Sequence, residues 1–228
     1  NAVEEVWHGL APPYEPLFAW LEGRGPRLET DDPAPFHPPM LAHPTDLDEL
    51  VAGHDPGAFA AEWKWDGIRV QLVSGRDREG RLVARLYSRT GEDISAAFPD
   101  VVAAVGVEAA IDGELLIVRA GAVEPFNVLQ QRLNRKTVSA RMMREFPPLV
   151  RAYDLLAEGE EDLREAPFAE RRARLERLVA RADAGPFDLS PQLAFRTWDD
   201  VAAARADPRA AGAGADADAV EGVMLKAR

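Results

Sequence analysis

The sequence predicts an α+β domain rather than a doubly wound parallel one, and three observations carry that prediction. Residues 68–73 and 82–88 both alternate apolar and polar side chains, and Arg78-Glu79-Gly80 turns between them, which makes a hairpin. Residues 110–118 and 149–156 are longer apolar strands separated by short helical stretches rather than by full crossover helices. Residues 168–182 form a charged amphipathic helix with Leu175, Leu178 and Val179 on its buried face. Helices mixed with hairpins in this way belong to the α+β class.

The elements follow in order. Trp7 and Leu10 precede Pro12-Pro13, after which Leu17, Phe18 and Leu21 recur at helical spacing. Residues 1–22 are therefore expected to be the tail of a preceding helical domain or an arm packed on the core, with Asn1-Ala2 set aside as a cloning remnant. Residues 23–39, rich in Gly and Pro, are expected as a linker, and the main domain as residues 40–228. A helix is expected over 99–109, and Phe126, Leu129 and Leu133 keep helical spacing. Ser139 can cap a short helix ending before Pro147. A short strand over 193–196 leads to Thr197, which can cap a helix over 198–206. Residues 207–219 are nearly all Ala, Gly and Asp, a loop or a weak helix, and the last strand covers 223–227.

Bulk properties narrow the class. A chain of 228 residues with 46% hydrophobic and 29% charged residues buries one sizeable core. No apolar run is long enough to cross a bilayer, and no secretory signal is visible, so a cytoplasmic monomer is expected. The absence of cysteine excludes disulfides and thiolate metal sites. A formal charge of −12 argues against a generic nucleic-acid binder, so DNA contact requires a local patch or further domains. Only three of the 27 basic residues are lysines: Lys64, Lys136 and Lys226. Arginine cannot serve as an amine nucleophile, whereas lysine can.

Three stretches carry chemistry. In Glu62-Trp63-Lys64-Trp65-Asp66-Gly67-Ile68-Arg69, a lysine stands just before a strand, and Gly67 suits a backbone wrapped closely around a ligand. An extended chain places Glu62, Lys64 and Asp66 on one side. A nucleophilic lysine must lose its proton, and desolvation or a neighbouring cation such as Arg69 lowers its pKa. A surface salt-bridge cluster beside a hairpin is the alternative. Asp112 and Glu114 share one face of an apolar strand, where two carboxylates need a cation, a hydroxyl or a positive partner; an edge strand with a wet face is the other reading. Glu221 and Lys226 bracket a short apolar strand, which by itself is a plain surface strand.

Taken together, these stretches resemble a known family. Lys64-x-Asp66-Gly67-x-Arg69 resembles the first motif of the covalent nucleotidyltransferases, a group of DNA ligases, RNA ligases and capping enzymes. Ser88-Arg89-Thr90-Gly91, Asp112-Gly113-Glu114, Ala152-Tyr153-Asp154-Leu155-Leu156 and Glu221-Gly222-Val223-Met224-Leu225-Lys226 resemble the elements that follow, in the family's order. Phe126-Asn127-Val128-Leu129-Gln130-Gln131-Arg132 is similar to a stretch of ATP-dependent DNA ligases in particular. The resemblance covers residues 40–228 and implies an ATP-grasp-like domain: two antiparallel sheets with flanking helices and a nucleotide cleft between them.

It also implies roles. Lys64 would take AMP from ATP onto its amine and pass it to the 5′-phosphate of nicked double-stranded DNA. Glu62 would face the adenine and Tyr153 stack on it; Asp66 and Gly67 belong to the nucleotide site; Arg69, Arg89 and Glu114 would hold ribose and phosphate. Lys226 would bind the α-phosphate, and Glu114 and Glu221 would position Mg²⁺. Arg132, Arg135 and Lys136 face either DNA phosphates or solvent, and so do Arg171, Arg172 and Arg174. Trp63 and Trp65 are expected in packing, and His8, His37, His43 and His54 receive no role.

The family usually continues into a further phosphate-binding motif and an OB-fold domain, and carries a helical DNA-binding domain upstream; nothing in the 228 residues matches these. The chain is expected to bind ATP or AMP, to adenylate itself poorly and to seal nicks weakly. An RNA ligase, a GTP-using capping enzyme or a non-catalytic nucleotide- or nick-binding module are the alternatives. Residues 126–132 speak against the first two, and intact Lys64, Glu114, Glu221 and Lys226 against the last.

Overall fold

The structure, a computed structural model, describes residues 3, 6, 10, 12–26, 32–133, 135–182 and 186–228. Trp7 of the expected arm lies outside the described residues. The strands are β1 Phe59–Trp65, β2 Ile68–Arg76, β3 Leu82–Ser88, β4 Ala109–Arg119, β5 Ala122–Val123, β6 Pro148–Glu158, β7 Glu161–Asp162, β8 Phe187–Leu189, β9 Gln192–Leu193 and β10 Val220–Ala227. The helices are α1 Glu15–Leu21, α2 Leu47–Gly53, α3 Pro99–Ala103, α4 Phe126–Leu129, α5 Ala140–Glu145, α6 Phe168–Arg181 and α7 Trp198–Ala206.

Two sheets form, as the fold prediction requires. The larger runs β3-β2-β4-β6-β7, with β5 on β4 and β8 on β6; the smaller runs β10-β1-β9. All pairings are antiparallel except β6 with β8. Only Asp66 and Gly67 separate β1 in the small sheet from β2 in the large one. Gly67 is required there by close approach: a Cβ would sit 2.6 Å from the Leu115 carbonyl oxygen and 2.8 Å from Glu114 Cγ. The turn that carries the first motif is thereby seated on β4 of the large sheet.

The core follows from the alternation read in the sequence. Val70, Leu72, Leu86, Ile111, Leu115, Val150 and Leu155 are buried with Phe98 just before α3, Val101 of α3, Leu129 of α4, and Leu175 and Leu178 of α6. Trp63 and Trp65 pack with Leu116, Val123, Ala204 and Ala219, so their expected packing role holds. Trp65 Nε1 donates to Ser190 Oγ at 3.1 Å, and the Arg151 guanidinium lies 4.3 Å above its ring. α7 begins as predicted: Thr197 and Asp200 form a reciprocal capping box.

Several expectations are corrected. The stretch 99–109 is helical only at Pro99–Ala103, because the chain must straighten before Ser74 Oγ can donate to the Val107 carbonyl at 2.6 Å. The strand expected at 193–196 is Gln192–Leu193. The Asp200 carboxylate accepts from the Arg196 and Thr197 amides and draws those residues into the helix start instead. Within the expected linker, residues 32–38 are packed across the large sheet. Ala34 and Phe36 are buried against Val73, Tyr87, Ala110 and Leu156. The Tyr87 hydroxyl donates to the Ala34 carbonyl at 2.7 Å, and Gln71 bonds both the amide and the carbonyl of His37. This strap explains why β2 is buried on both faces.

Candidate active site

Most of the expected nucleotide residues divide between the two sheets, and Lys226 meets Tyr153 across the join. Lys64 and Glu62 lie on β1, and Glu221 and Lys226 on β10. Arg69 lies on β2, Asp112 and Glu114 on β4 and Tyr153 on β6. Lys64 thus stands within a strand, not before one as the sequence suggested.

Two bulges aim site residues. β1 pairs Lys64 with Gly222 and then Trp65 with Val220, so Glu221 is an extra residue on β10. β4 pairs Asp112 with Asp154 and then Gly113 with Ala152, so Tyr153 is an extra residue on β6. A bulge turns the inserted side chain out of the regular alternation. The Lys64 ammonium forms an ion pair with the Glu221 carboxylate, with both side chains about half exposed.

Beneath this exposed pair lies a buried one. The Glu62 carboxylate accepts from Arg172 Nη1 at 3.0 Å on one oxygen and from Lys226 Nζ at 3.1 Å on the other. Burial pushes Glu62 above the usual carboxylate range, more than Lys226 and Arg172 pull it down. Lys226 also donates to the Tyr153 carbonyl at 2.7 Å and lies 4.8 Å and 4.7 Å from the centroids of Tyr153 and Phe168. These contacts bridge the two sheets. Burial also raises the Tyr153 phenol well above its ordinary value.

On the large sheet, Arg69 grips both oxygens of Asp112, at 3.1 and 2.6 Å, and donates to the Met40 carbonyl at 2.7 Å. The positive partner that the buried Asp112 needed is therefore Arg69. Glu114, directly across from Arg69 in the ladder, is pushed up to about 8 by burial and by Asp112, against the pull of Lys64 and Arg69. That electrostatic coupling ties Glu114 to the Lys64 side of the site. Asp66 anchors its amide on the Ala219 carbonyl, and Arg89 is exposed in the tight turn after β3, where Gly91 takes a φ of +82°.

Of the residues expected at DNA, Arg135 and Lys136 are exposed. Arg132 is a correction: it is fully buried, bidentate on Asp100 at 2.8 and 2.6 Å, bonded to the Ala97 and Phe146 carbonyls, and stacked on Phe98. It cannot reach a phosphate without unfolding that corner. Arg171 and Arg172 are likewise buried, on Asp154 and Glu62. The signal was in the periodicity: Phe168, Arg171, Arg172 and Leu175 are spaced 3, 1 and 3 apart, all on the buried stripe of α6. Among the described residues, no buried side-chain nitrogen or oxygen lacks a hydrogen-bond partner.

The comparisons fit this arrangement. The sequence pattern of the family described as "ATP dependent DNA ligase domain" matches residues 39–228. The chain belongs to that family. It is similar to DNA ligase 1 of Korarchaeum cryptofilum, with 36% identity over 190 residues, 78% of this chain and 32% of that protein. It is similar to a DNA ligase of Methanosphaerula palustris, with 33% identity over 85% of this chain and 33% of that protein. Among solved structures, a mycobacterial DNA ligase D complexed with ATP and MES superposes with a TM-score of 0.57 at 26% identity, covering 88% of this chain and 56% of that one. The M. tuberculosis LigD ligase domain gives the same values. The chain spans about a third of the length of these curated relatives. Among the described residues, no helix is long and apolar enough to cross a membrane.

Proposed function

We propose that this chain carries out the adenylating half of ATP-dependent strand joining, with Lys64 as the nucleophile. The observation that carries the reading is the Lys64–Glu221 pair: a half-exposed ammonium beside the join of two sheets, within electrostatic reach of Glu114. Once its ammonium has given a proton to water, the Lys64 amine attacks the α-phosphorus of ATP and the bond to pyrophosphate breaks. AMP remains on Nζ through a P–N bond after the nitrogen gives a second proton to water. Lys226 holds the α-phosphate, Arg69, Arg89 and Glu114 hold ribose and phosphate, Asp66 and Gly67 shape the turn beside them, Tyr153 stacks on the purine and Glu62 faces its edge. AMP then passes to the 5′-phosphate of nicked DNA.

Glu114 and Glu221 fit Mg²⁺ as one or two carboxylates completed by phosphate oxygens and water. Among the described residues no group of three or more His, Cys, Asp or Glu could hold an ion alone, which suits a metal arriving with the nucleotide. Mg²⁺ would neutralise charge on the triphosphate and the leaving pyrophosphate. Exposed Arg135 and Lys136, beside α5 with exposed Arg141 and Arg144, give this acidic chain a local basic surface for DNA phosphates. In the whole protein, a helical DNA-binding domain and an OB-fold domain would enclose DNA and nucleotide, and we place the protein in the cytoplasm as a monomer.

Intact-mass measurement after incubation with ATP and Mg²⁺ tests the reading. A gain of one AMP, abolished in Lys64→Ala, is expected. No gain, either in this chain or in a version extended through a following domain, would overturn it.

A further inference from the structure

Glu62 is held by two cations of unlike character. Arg172 is 7% exposed, sits on the packed face of α6, and has its Nε fixed by Glu176 at 2.8 Å on the next turn. Its guanidinium is permanently charged and planar, so the bond to Glu62 Oε1 has one geometry. Lys226 instead spreads one ammonium over Glu62 Oε2, the Tyr153 carbonyl and two aromatic rings. No single one of these contacts is bidentate, and its four-carbon stem allows the head to turn elsewhere.

We infer that Arg172 is the positioning residue for base recognition: it is the standing counter-ion that keeps Glu62 oriented while Lys226 leaves for a phosphate. The inference rests on the reading above that Glu62 faces the purine edge and Lys226 the α-phosphate. Without Arg172, departure of Lys226 would strand a carboxylate that is 1% exposed with no cation at all. An unpaired buried charge is unstable, and the carboxylate would take a proton or swing toward solvent. An ionised carboxylate only accepts hydrogen bonds and has lone pairs beyond the two used here. At position 6 of the purine it therefore favours the amine donor of adenine over the carbonyl acceptor of hypoxanthine. Arg172 acts on that preference through Glu62 and touches no reacting atom.

Calorimetric titration of ATP and of inosine triphosphate into wild type, Arg172→Met, Arg172→Lys, Glu62→Gln and the Glu62→Gln/Arg172→Met double variant tests this. Arg172→Met should weaken ATP roughly tenfold and inosine triphosphate less than about twofold, since a hydrogen bond to a charged group is lost only for adenine. Arg172→Lys should fall between, and in the Glu62→Gln background Arg172→Met should change the ATP preference no further. Equal weakening of both nucleotides, or an effect that adds to that of Glu62→Gln, overturns the inference. If the Met variant does not fold, Arg172→Lys decides: a reduced ATP preference supports the assignment and an unchanged one overturns it. Wild type that adenylates Lys64 yet shows no base preference overturns the role of Glu62 and Arg172 alone. Wild type that binds neither nucleotide overturns the proposed function itself.

Discussion

Gly67→Ala tests the join between the sheets more directly than any charge substitution. Gly67 does not have a left-handed φ, so alanine meets no conformational barrier, and elsewhere such a change stabilises by about 0.4–1 kcal/mol through the unfolded chain. Here the added carbon would sit 2.6 Å from the Leu115 carbonyl oxygen and 2.8 Å from both Glu114 Cγ and Leu116 Cδ2. One of these is backbone in the central strand of the large sheet and cannot yield. Overpacking of this kind costs about 1–3 kcal/mol, which leaves a net loss of up to about 2.6 kcal/mol. For a chain of this size that lowers Tm by up to about 10 °C. Gly106→Ala is the control, because its new Cβ meets nothing within 4 Å and its backbone is ordinary. Thermal and urea unfolding of the two variants side by side is the assay. Adenylation should also fall in folded Gly67→Ala, because the shift lands on Glu114. If Gly67→Ala is as stable as Gly106→Ala, the close approach of this turn to β4 is wrong.

Arg132→Met should lose about 3 kcal/mol or more, because it strands Asp100 and two carbonyls, whereas Arg135→Ala with Lys136→Ala should stay within about 0.5 kcal/mol of wild type. DNA affinity and its salt dependence should respond in the opposite order, falling for the exposed pair and not for folded Arg132→Met. Glu114 has a folded pKa of about 8 against an ordinary 4.5, so the folded chain holds a proton that the unfolded chain releases. Its stabilising contribution is complete below about pH 4.5 and is lost as pH rises toward about 8. Without nucleotide or divalent ion, Glu114→Gln should therefore gain stability relative to wild type as pH rises through that window. Parallel pH profiles for the two proteins would refute this assignment.

Much of the fold was legible because it rests on local pattern. The alternation at Leu82–Ser88, the stripe of Phe168–Arg181 and the Thr197 cap are settled by neighbours along the chain. What was not legible depends on partners distant in sequence. The strap at residues 32–38 looks like linker because Pro33, Pro35 and Pro38 break regular structure, but an irregular segment can still pack. The register shifts that aim Tyr153 and Glu221 arise from pairing between strands and leave no mark in either strand alone. Arg132, Arg171 and Arg172 looked like surface charge because arginine is seldom buried without a partner, and the partners Asp100, Asp154 and Glu62 lie 17 to 110 residues away.

Within the site, arginine and lysine make different kinds of contact. Four enclosed ion pairs use arginine: Arg69 on Asp112, Arg132 on Asp100, Arg171 on Asp154 and Arg172 on Glu62. A guanidinium that grips a carboxylate with two nitrogens, as three of these do, is difficult to dislodge and never loses its charge. The two lysines of the site occupy a different kind of contact. Lys64 is held by Glu221 in the open, and Lys226 by Glu62 and the Tyr153 carbonyl. On the proposed reading, transfer of AMP requires each of these ammonium groups to leave its carboxylate, one to become an amine and the other to meet a phosphate. Replacing either with arginine would keep the charge and remove that freedom. On that reading, arginine serves in the site where the ion pair must persist, and lysine where it must break.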